Sequence, residues 1–322
     1  MSAEHPIPKT ILLTGGCGYI GSQLLADLAK DERFAGVALR VVDNLHSGSL
    51  TALKDLPATG RYEYIHGDIL NPDILKTALF GVDTVIHLAA IVRSPMNFEN
   101  PEWLQQVNLW GTSQLVQAAK ESGVQKFVYL SSTAVYGPGG PFGISDRCQP
   151  MGAYAVSKFQ AEQRVWHGHK RGLPALVMRL GTVYGEAPVT RYDALVNRFA
   201  LLSATNQTLP IYGSGEQLRP IVHVRDVSKA VRDLLAEFDS HAGKCYNVVS
   251  ESISVLEVLR AVVQFLPNVR VRHSQQEIRN FLSFEVLASE LFDTGWVPQE
   301  NLLDGLREMI GHFRGFEITD NF

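Results

Sequence analysis

Tyr154 and Lys158 stand four residues apart in the run YAVSK, a spacing that puts both side chains on one face of a helix. A phenol is a poor base at its ordinary pKa of about 10. A lysine ammonium close by, and a second cation such as an oxidised cofactor ring, both favour the phenolate. Lowering that pKa by about three units takes ~4 kcal/mol of differential interaction, which two cations in a partly desolvated cleft can supply. A tyrosine so placed can take the proton of a substrate hydroxyl and give it back. Ser132, or Thr133 next to it, closes the run KFVYLSS and would hydrogen-bond the same hydroxyl.

A second set of residues has the chemistry of a dinucleotide site. TILLTGGCGYIGSQLLADL carries Gly15, Gly18 and Gly21 at three-residue intervals between an apolar run and a helical pattern. The first glycine permits a tight turn, the second lets backbone approach a pyrophosphate, and the third lets helix and strand pack closely. The helix N-terminus would offer unpaired N–H groups and a positive dipole end to the phosphates, and Tyr19 and Ile20 of the loop are expected at the cofactor. Asp43 ends the next apolar run, ALRVVD. A carboxylate there accepts both ribose hydroxyls of NAD and repels the 2′-phosphate of NADP, so the expected cofactor is NAD. Asn44 is expected to line the adenosine pocket. Asp68 and Ile69, in HGDI, are expected at the adenine through the carboxylate or the Ile69 N–H. The competing reading makes Asp68 the N-cap of a helix over 70–79.

These groups need a scaffold that gathers strand ends, and the apolar pattern provides one. Residues 10–15, 38–43, 62–68, 83–89, 126–132 and 175–181 read as strands nearly continuous in apolar residues, as strands covered on both faces are. Helices are expected between them over 22–30, 101–122 and 153–171. The alternation predicts right-handed βαβ units and a doubly wound parallel α/β sheet of the Rossmann type, which binds ligands at the carboxyl ends of its strands. After Gly181 the rhythm loosens into Gly- and Pro-rich loops, with helices starting near Tyr192, Asp226, Val255 and Leu302. Residues 1–180 are therefore expected to form an NAD-binding domain and 181–322 a smaller substrate lobe. The two should interleave, because YNVVS (246–250) can return as a strand.

Composition narrows the classes further. The 322 residues, 45% hydrophobic and 19% charged, make an ordinary globular chain that can bury a core without disulfides. Its 29 basic and 33 acidic residues leave a net charge of -4, against the basic excess of nucleic-acid binders. No apolar run approaches the ~18 residues of a membrane span, and MSAEHPIPK lacks the layout of a signal peptide. No nucleic acid, no membrane and a cytoplasmic location are expected. Cys17, Cys148 and Cys245 are too scattered for a disulfide framework or a metal site, and no metal is expected.

TGGCGYIG, VVDNLHSG, HGDI, VIHLAA, VNLWGT, LSSTAVYG, YAVSK and RLGTVYG follow in the order and spacing of the extended short-chain dehydrogenases/reductases. The chain resembles their nucleotide-sugar epimerase/dehydratase family, UDP-glucose 4-epimerase-like enzymes above all. RPIVHVRDV, YNVVSE and DTGWVPQENLLDGLRE carry the likeness into the second half. The resemblance implies Tyr154 as the acid/base, Lys158 as its partner and holder of the nicotinamide ribose, and Ser132 as the catalytic hydroxyl, with Thr133 the alternative. It implies Asn108 in VNLWGT as support for the lysine end of the proton path, and Leu88, Ala89 and Ala90 along the cofactor. Arg219 would grip the substrate diphosphate, a task suited to a planar, bidentate fork. Asn197 and Arg279 are further candidates for the same phosphates, with ordinary surface roles as the alternative. Thr182, where many relatives carry Asn in RxxNxYG, is a substrate-side candidate that departs from the pattern. His87 and His223 read as core residues, and the resemblance implies a homodimer through the helices over 101–122 and 153–171.

In this resemblance, dehydrating members carry Asp-Glu just before VYG, to remove a C5 proton and protonate the leaving C6 hydroxyl. Decarboxylating members carry Glu before the Val. Here those positions hold Thr133 and Ala134, and neither is an acid. The expected reaction is 4-epimerisation of a nucleoside-diphosphate sugar, by hydride transfer from C4 through a transient 4-keto sugar. A 4-dehydrogenase that releases the ketone is the alternative, with dehydration and decarboxylation behind it. A binding-only, NAD-sensing Rossmann protein would have no use for Tyr154 and Lys158 beside a strand-end serine. A steroid- or flavonoid-type dehydrogenase would leave Arg219 idle.

Overall fold

Seven apolar runs become the strands of one all-parallel sheet in the computed structural model, which describes residues 10–92, 100–274 and 283–313. They are β1 (Thr10–Thr14), β2 (Ala38–Asp43), β3 (Arg61–His66), β4 (Thr84–His87), β5 (Lys126–Ser132), β6 (Ala175–Leu180) and β7 (Cys245–Val248). Their order across the sheet is β7-β6-β5-β4-β1-β2-β3. Alternate residues serve opposite covers. Ile11 and Leu13 join a core with Leu24, Leu25 and Leu234, from the Tyr19–Leu28 and Val224–Ala236 helices. Leu12 joins the other with Leu75, Leu115 and Ala161, from the Pro72–Leu79 helix, a helical run over 101–121 and the Ala153–Lys170 helix. Two apolar faces explain why the inner strands read as continuous runs; β3, at the sheet edge, is largely exposed.

The strand order reverses at β1, which pairs with β2 on one side and β4 on the other. Connections there leave in opposite directions and open a crevice at the carboxyl ends of the strands. The chain quits this sheet after Leu180 and builds a smaller one from strands Thr182–Tyr184, Leu218–His223 and Glu251–Ser254. Between the last two it returns through the Val224–Ala236 helix and β7, which pairs with β6. Val196, Phe199, Ile211, Ile221, Val258 and Leu306 fill a separate core in the second part. Ser254 and Glu257 start its Val255–Phe265 helix with a reciprocal capping box, and Asn301 caps Leu302–His312.

Several boundaries differ from expectation for local reasons. The helix expected over 70–79 begins at Pro72, because Asn71 accepts the amides of Asp73 and Ile74. The helix expected from Asp226 begins at Val224, where the His223 ring accepts the Arg225 amide. The helix expected near Tyr192 begins at Leu195. The run over 101–121 widens to a π-helix across Gln105–Gly111, a geometry that apolar periodicity does not signal and that often marks functional sites. Among the described residues no helix is long and apolar enough to cross a membrane, and no three His, Cys, Asp or Glu gather as metal ligands.

A fragment ending at Gly181 would leave β6 without β7, and Val128 and Met178 without Val227, Val231 and Leu234 of the same core. It should show no cooperative urea transition by far-UV circular dichroism. A sharp two-state curve from that fragment would show that the first part folds alone.

Candidate active site

The carboxyl ends of β1 to β6 line one cavity of about 710 Å³, which continues to Arg219 and Phe284. At its floor the chain turns from β1 into the Tyr19–Leu28 helix. Gly15 has a φ of +74°, and a Cβ there would sit 2.7 Å from the Ala89 nitrogen. One on Gly21 would sit 2.4 Å from the Gly15 carbonyl oxygen. The helix begins at Gly18 with no side-chain cap, so its first amides need partners from elsewhere. This bare backbone with a helix N-terminus fits a pyrophosphate.

Asp43 is 8% exposed, and its oxygens accept the amides of Cys17 (3.0 Å) and Leu45 (2.8 Å). The carboxylate is thereby fixed beside the loop, with lone pairs left for a ribose diol. Asn44 Nδ2 donates to Asp68 (2.8 Å), whose other oxygen accepts the Leu70 amide (2.8 Å). Asp68 is thus part of the cavity wall and not the helix cap, a task that Asn71 performs. Tyr19, Ile20, Ile69, Leu88, Ala89 and Ala90 also line the cavity. These residues fit NAD: a cradle for the pyrophosphate, and a carboxylate where NADP would bring a phosphate.

Tyr154 and Lys158 lie one turn apart on the Ala153–Lys170 helix, and both line the cavity. The Ser132 hydroxyl draws the Tyr154 phenol down and accepts the Ala134 amide (3.2 Å). Thr133 is buried and donates its hydroxyl to the Leu180 carbonyl (3.1 Å), so Ser132 is the strand-end hydroxyl in reach of the tyrosine. Lys158 is 4% exposed. Its ammonium donates to the Leu130 carbonyl (2.6 Å) and stands 4.4 Å from the centre of the Tyr129 ring.

Burial pushes the Lys158 ammonium down to about 7, against the opposing pull of the Glu162 carboxylate. Burial also pushes the Tyr154 phenol above its ordinary value, opposed by Ser132 and the Arg191 charge. Arg191 is a second cation that favours the phenolate. Lys158 can help a phenolate only where its proton is held.

Asn108 lies in the π-helical segment and is 1% exposed. Its amide accepts from the Ile91 N–H (2.8 Å) and donates to the Ile91 carbonyl and Ser157 Oγ (both 3.0 Å). Ser157 in turn donates to the Tyr154 carbonyl (2.8 Å). Asn108 thus ties the extension of β4 to the helix of Tyr154, and these contacts go to Ser157 rather than to Lys158. His87 is buried between two threonines. Thr112 Oγ1 donates to the Asn108 carbonyl (2.6 Å), so it must accept from His87 Nε2 (2.8 Å). That tautomer leaves Nδ1 to accept from Thr14 Oγ1 (2.7 Å). Burial, then the Lys158 charge, push the ring down to about 3, which leaves it a neutral tie between β1, β4 and the 101–121 run.

At the far end, Arg219 is the second residue of the Leu218–His223 strand, and burial pushes its guanidinium down to about 10, still charged at neutral pH. Thr182 lines the cavity just beyond β6. Asn197 was expected at the phosphates, but it is fully buried. Its Oδ1 accepts the Gly185 amide (2.9 Å), and its Nδ2 donates to the Arg191 carbonyl (2.9 Å) and Tyr19 hydroxyl (3.2 Å). With Tyr19 donating to the Gly185 carbonyl (2.6 Å) and Ser22 Oγ accepting the Val189 amide (3.1 Å), it staples segment 185–191 to the glycine-loop helix. Arg279 lies outside the described residues.

Sequence reasoning missed three features here. Arg191 lines the cavity, ion-paired with Asp193, and its loop has no periodicity to announce it. His46 and Trp103 meet edge to face at 4.5 Å on the cavity wall, from segments far apart in the chain. Glu162 is fully buried one turn beyond Lys158. Its signal was present, since Tyr154, Lys158 and Glu162 recur every fourth residue on one helix face.

Comparison with known proteins agrees with this geometry. The NAD dependent epimerase/dehydratase family model matches residues 11–248. The dTDP-D-glucose 4,6-dehydratase of Mus musculus is 29% identical over 324 residues, covering 95% of this chain and 89% of that protein. The solved dTDP-glucose 4,6-dehydratase of Streptomyces venezuelae, with NAD bound, has a TM-score of 0.86 at 27% identity, covering 94% of this chain and 96% of that one. The UDP-N-acetylglucosamine 4-epimerase of Methanobrevibacter ruminantium M1 has a TM-score of 0.83 at 27% identity, covering 95% and 98%.

The staple yields a prediction. Asn197→Ala strands the Gly185 N–H and the Arg191 carbonyl, at about 1–3 kcal/mol for each buried group left unpaired. Urea unfolding should lose about 2 kcal/mol or more. An unchanged unfolding curve together with lost nucleotide-sugar affinity would return Asn197 to the diphosphate.

Proposed function

The chain belongs to the NAD dependent epimerase/dehydratase family, and on that premise we propose that it inverts C4 of a nucleoside-diphosphate sugar through a transient 4-keto sugar. The observation that carries this reading is the scarcity of acids beside Tyr154. Among the described residues lining the cavity the carboxylates are Asp43, Asp68 and Asp193. Asp43 and Asp68 belong to the adenosine end, and Asp193 is ion-paired with Arg191. Dehydration needs one group to take the C5 proton and another to protonate the leaving C6 hydroxyl. Thr133 and Ala134 stand at the two positions before VYG, and Thr133 spends its hydroxyl on Leu180. This weighs against the dehydratase chemistry named for the mouse and Streptomyces relatives.

The steps left to the chain are few. Ser132 and Tyr154 receive the C4 hydroxyl, and the Tyr154 phenolate takes its proton as C4 becomes a ketone. Lys158, close under the same face of the helix, holds charge against the phenolate and a ribose hydroxyl. NAD bound in this cavity would supply the acceptor and donor for the C4 hydride. Tyr154 then returns the proton to the C4 oxygen. Arg219, desolvated and charged, anchors the diphosphate while the sugar turns. Gly15, Gly18, Gly21 and Asp43 hold the dinucleotide. In the same reading two chains pair through the 101–121 and Ala153–Lys170 helices, where Trp110 is 59% exposed.

The test is a panel of nucleoside-diphosphate hexoses incubated in deuterated water and followed by NMR. Inversion at C4, without solvent deuterium in the sugar and without net NADH, is the expected result. Tyr154→Phe should abolish that turnover while binding of NAD and nucleotide stays nearly unchanged. Solvent deuterium at C5 with loss of the C6 hydroxyl would establish dehydration instead, and accumulation of NADH with a free ketone would establish a 4-dehydrogenase.

A further inference from the structure

We propose that Glu162 and Arg179 form a positioning element of this site: a buried counter-charge for Lys158 that also fixes the strand end carrying Ser132. The inference rests on the assignment of Tyr154, Lys158 and Ser132 above. Glu162 is 0% exposed. Its carboxylate accepts the Ser131 hydroxyl (2.5 Å) and takes a fork from Arg179, Nε at 3.1 Å and Nη2 at 2.8 Å. Arg179 Nη1 donates to the Tyr136 hydroxyl (3.0 Å), and Tyr136 donates to Asn247 Oδ1 (2.9 Å). The network therefore runs from the helix of Lys158 through β5 and β6 to β7.

Stability alone does not account for these charges. A buried ion pair is generally matched or bettered by apolar side chains of the same volume. The nearby task that requires a charge is the lysine. On its own helix Lys158 has Tyr154 and Glu162 one turn to either side, from β5 it faces the Tyr129 ring, its charge bears on His87 of β4, and beyond Glu162 stands Arg179 of β6. Burial keeps Tyr129 well above its ordinary range, and burial with the Lys158 charge keeps His87 down to about 3, so both are neutral at working pH. Glu162 is the carboxylate that acts on the ammonium, and Arg179 fixes its orientation. Ser131 lies between Leu130, whose carbonyl takes the lysine, and Ser132, which acts on Tyr154. One carboxylate thus governs both the charge of the lysine and the seat of the serine.

The experiment follows Lys158 itself, by NMR of NAD-loaded protein carrying 13C at the lysine ε carbons, with Lys158→Met to assign its signal. Three variants are compared: Glu162→Gln, Glu162→Asp, and Glu162→Gln combined with Arg179→Met, which leaves no stranded charge. Glu162 raises the proton affinity of Lys158, so its loss should move the lysine midpoint towards acid, by about one pH unit or a tenfold change in that affinity. The alkaline limb of turnover should move in the same direction, and Glu162→Asp should stay near the wild-type midpoint. An unchanged Lys158 midpoint in the folded double variant would overturn the proposal. Collapse of the double variant would also overturn it, since the pair would then be a prop for the fold. The titration is read without sugar. A panel of sugars that gives no C4 inversion refutes the reaction and leaves this result standing.

Discussion

A lysine ammonium withdrawn from water beside a phenol is the constraint on which the rest of this molecule turns. Lys158 at 4% exposure would shed its proton unless the surroundings replace the lost hydration. The Leu130 carbonyl, the face of Tyr129 and the Glu162 carboxylate are those replacements. The first two come from β5 and the third from the helix packed on it, one turn beyond Lys158. The parallel sheet answers that need. Its β5–β6 pairing brings Ser132 opposite Leu180, and the Asn108–Ser157 contact pins the tyrosine helix from behind.

The same economy joins the two halves of the cavity. The glycine-loop helix gives its uncapped first turn to the cofactor side and, through the Tyr19 hydroxyl and Ser22, grips segment 185–191 on the substrate side. Arg191, a cation that bears on Tyr154, hangs from that segment. The weaving of the chain has the same effect, because β7 completes the large sheet and leads directly into the small one.

What could be read from residues alone divides along a physical line. Strands buried on both faces announce themselves by apolar runs, and glycines that admit no Cβ announce the turn at Gly15 and Gly21. The Tyr154–Lys158 spacing is a helical period, and Glu162 continues it, although its meaning appears only once Arg179 is brought alongside from β6. Contacts that depend on side chains meeting across the fold left no trace in spacing. The family resemblance made Asn197 a candidate phosphate ligand, with an ordinary surface role as the alternative. Asn197 turned inward because three backbone and phenol groups of the 185–191 staple needed partners. Asp68 looked equally like a cap, and only the presence of Asn71 three residues on decided the matter. Arg191 sits in an aperiodic loop, and the π-helical widening around Asn108 has no compositional mark.

In the proposed reaction one tyrosine, one lysine and one serine exchange a proton with a C4 hydroxyl while no second acid acts on C5 or C6. Relatives similar to this chain include enzymes of both outcomes, so fold alone does not choose between them. A label carried on the reacting carbon does. A nucleoside-diphosphate hexose bearing deuterium at C4, turned over in ordinary water and read by deuterium NMR, reports where the hydrogen taken from C4 is returned. For 4-epimerisation the label stays on C4 and is found on the inverted carbon. Label at C6, where a 4-keto-5,6-ene would be reduced, or label lost into free reduced cofactor, would contradict it.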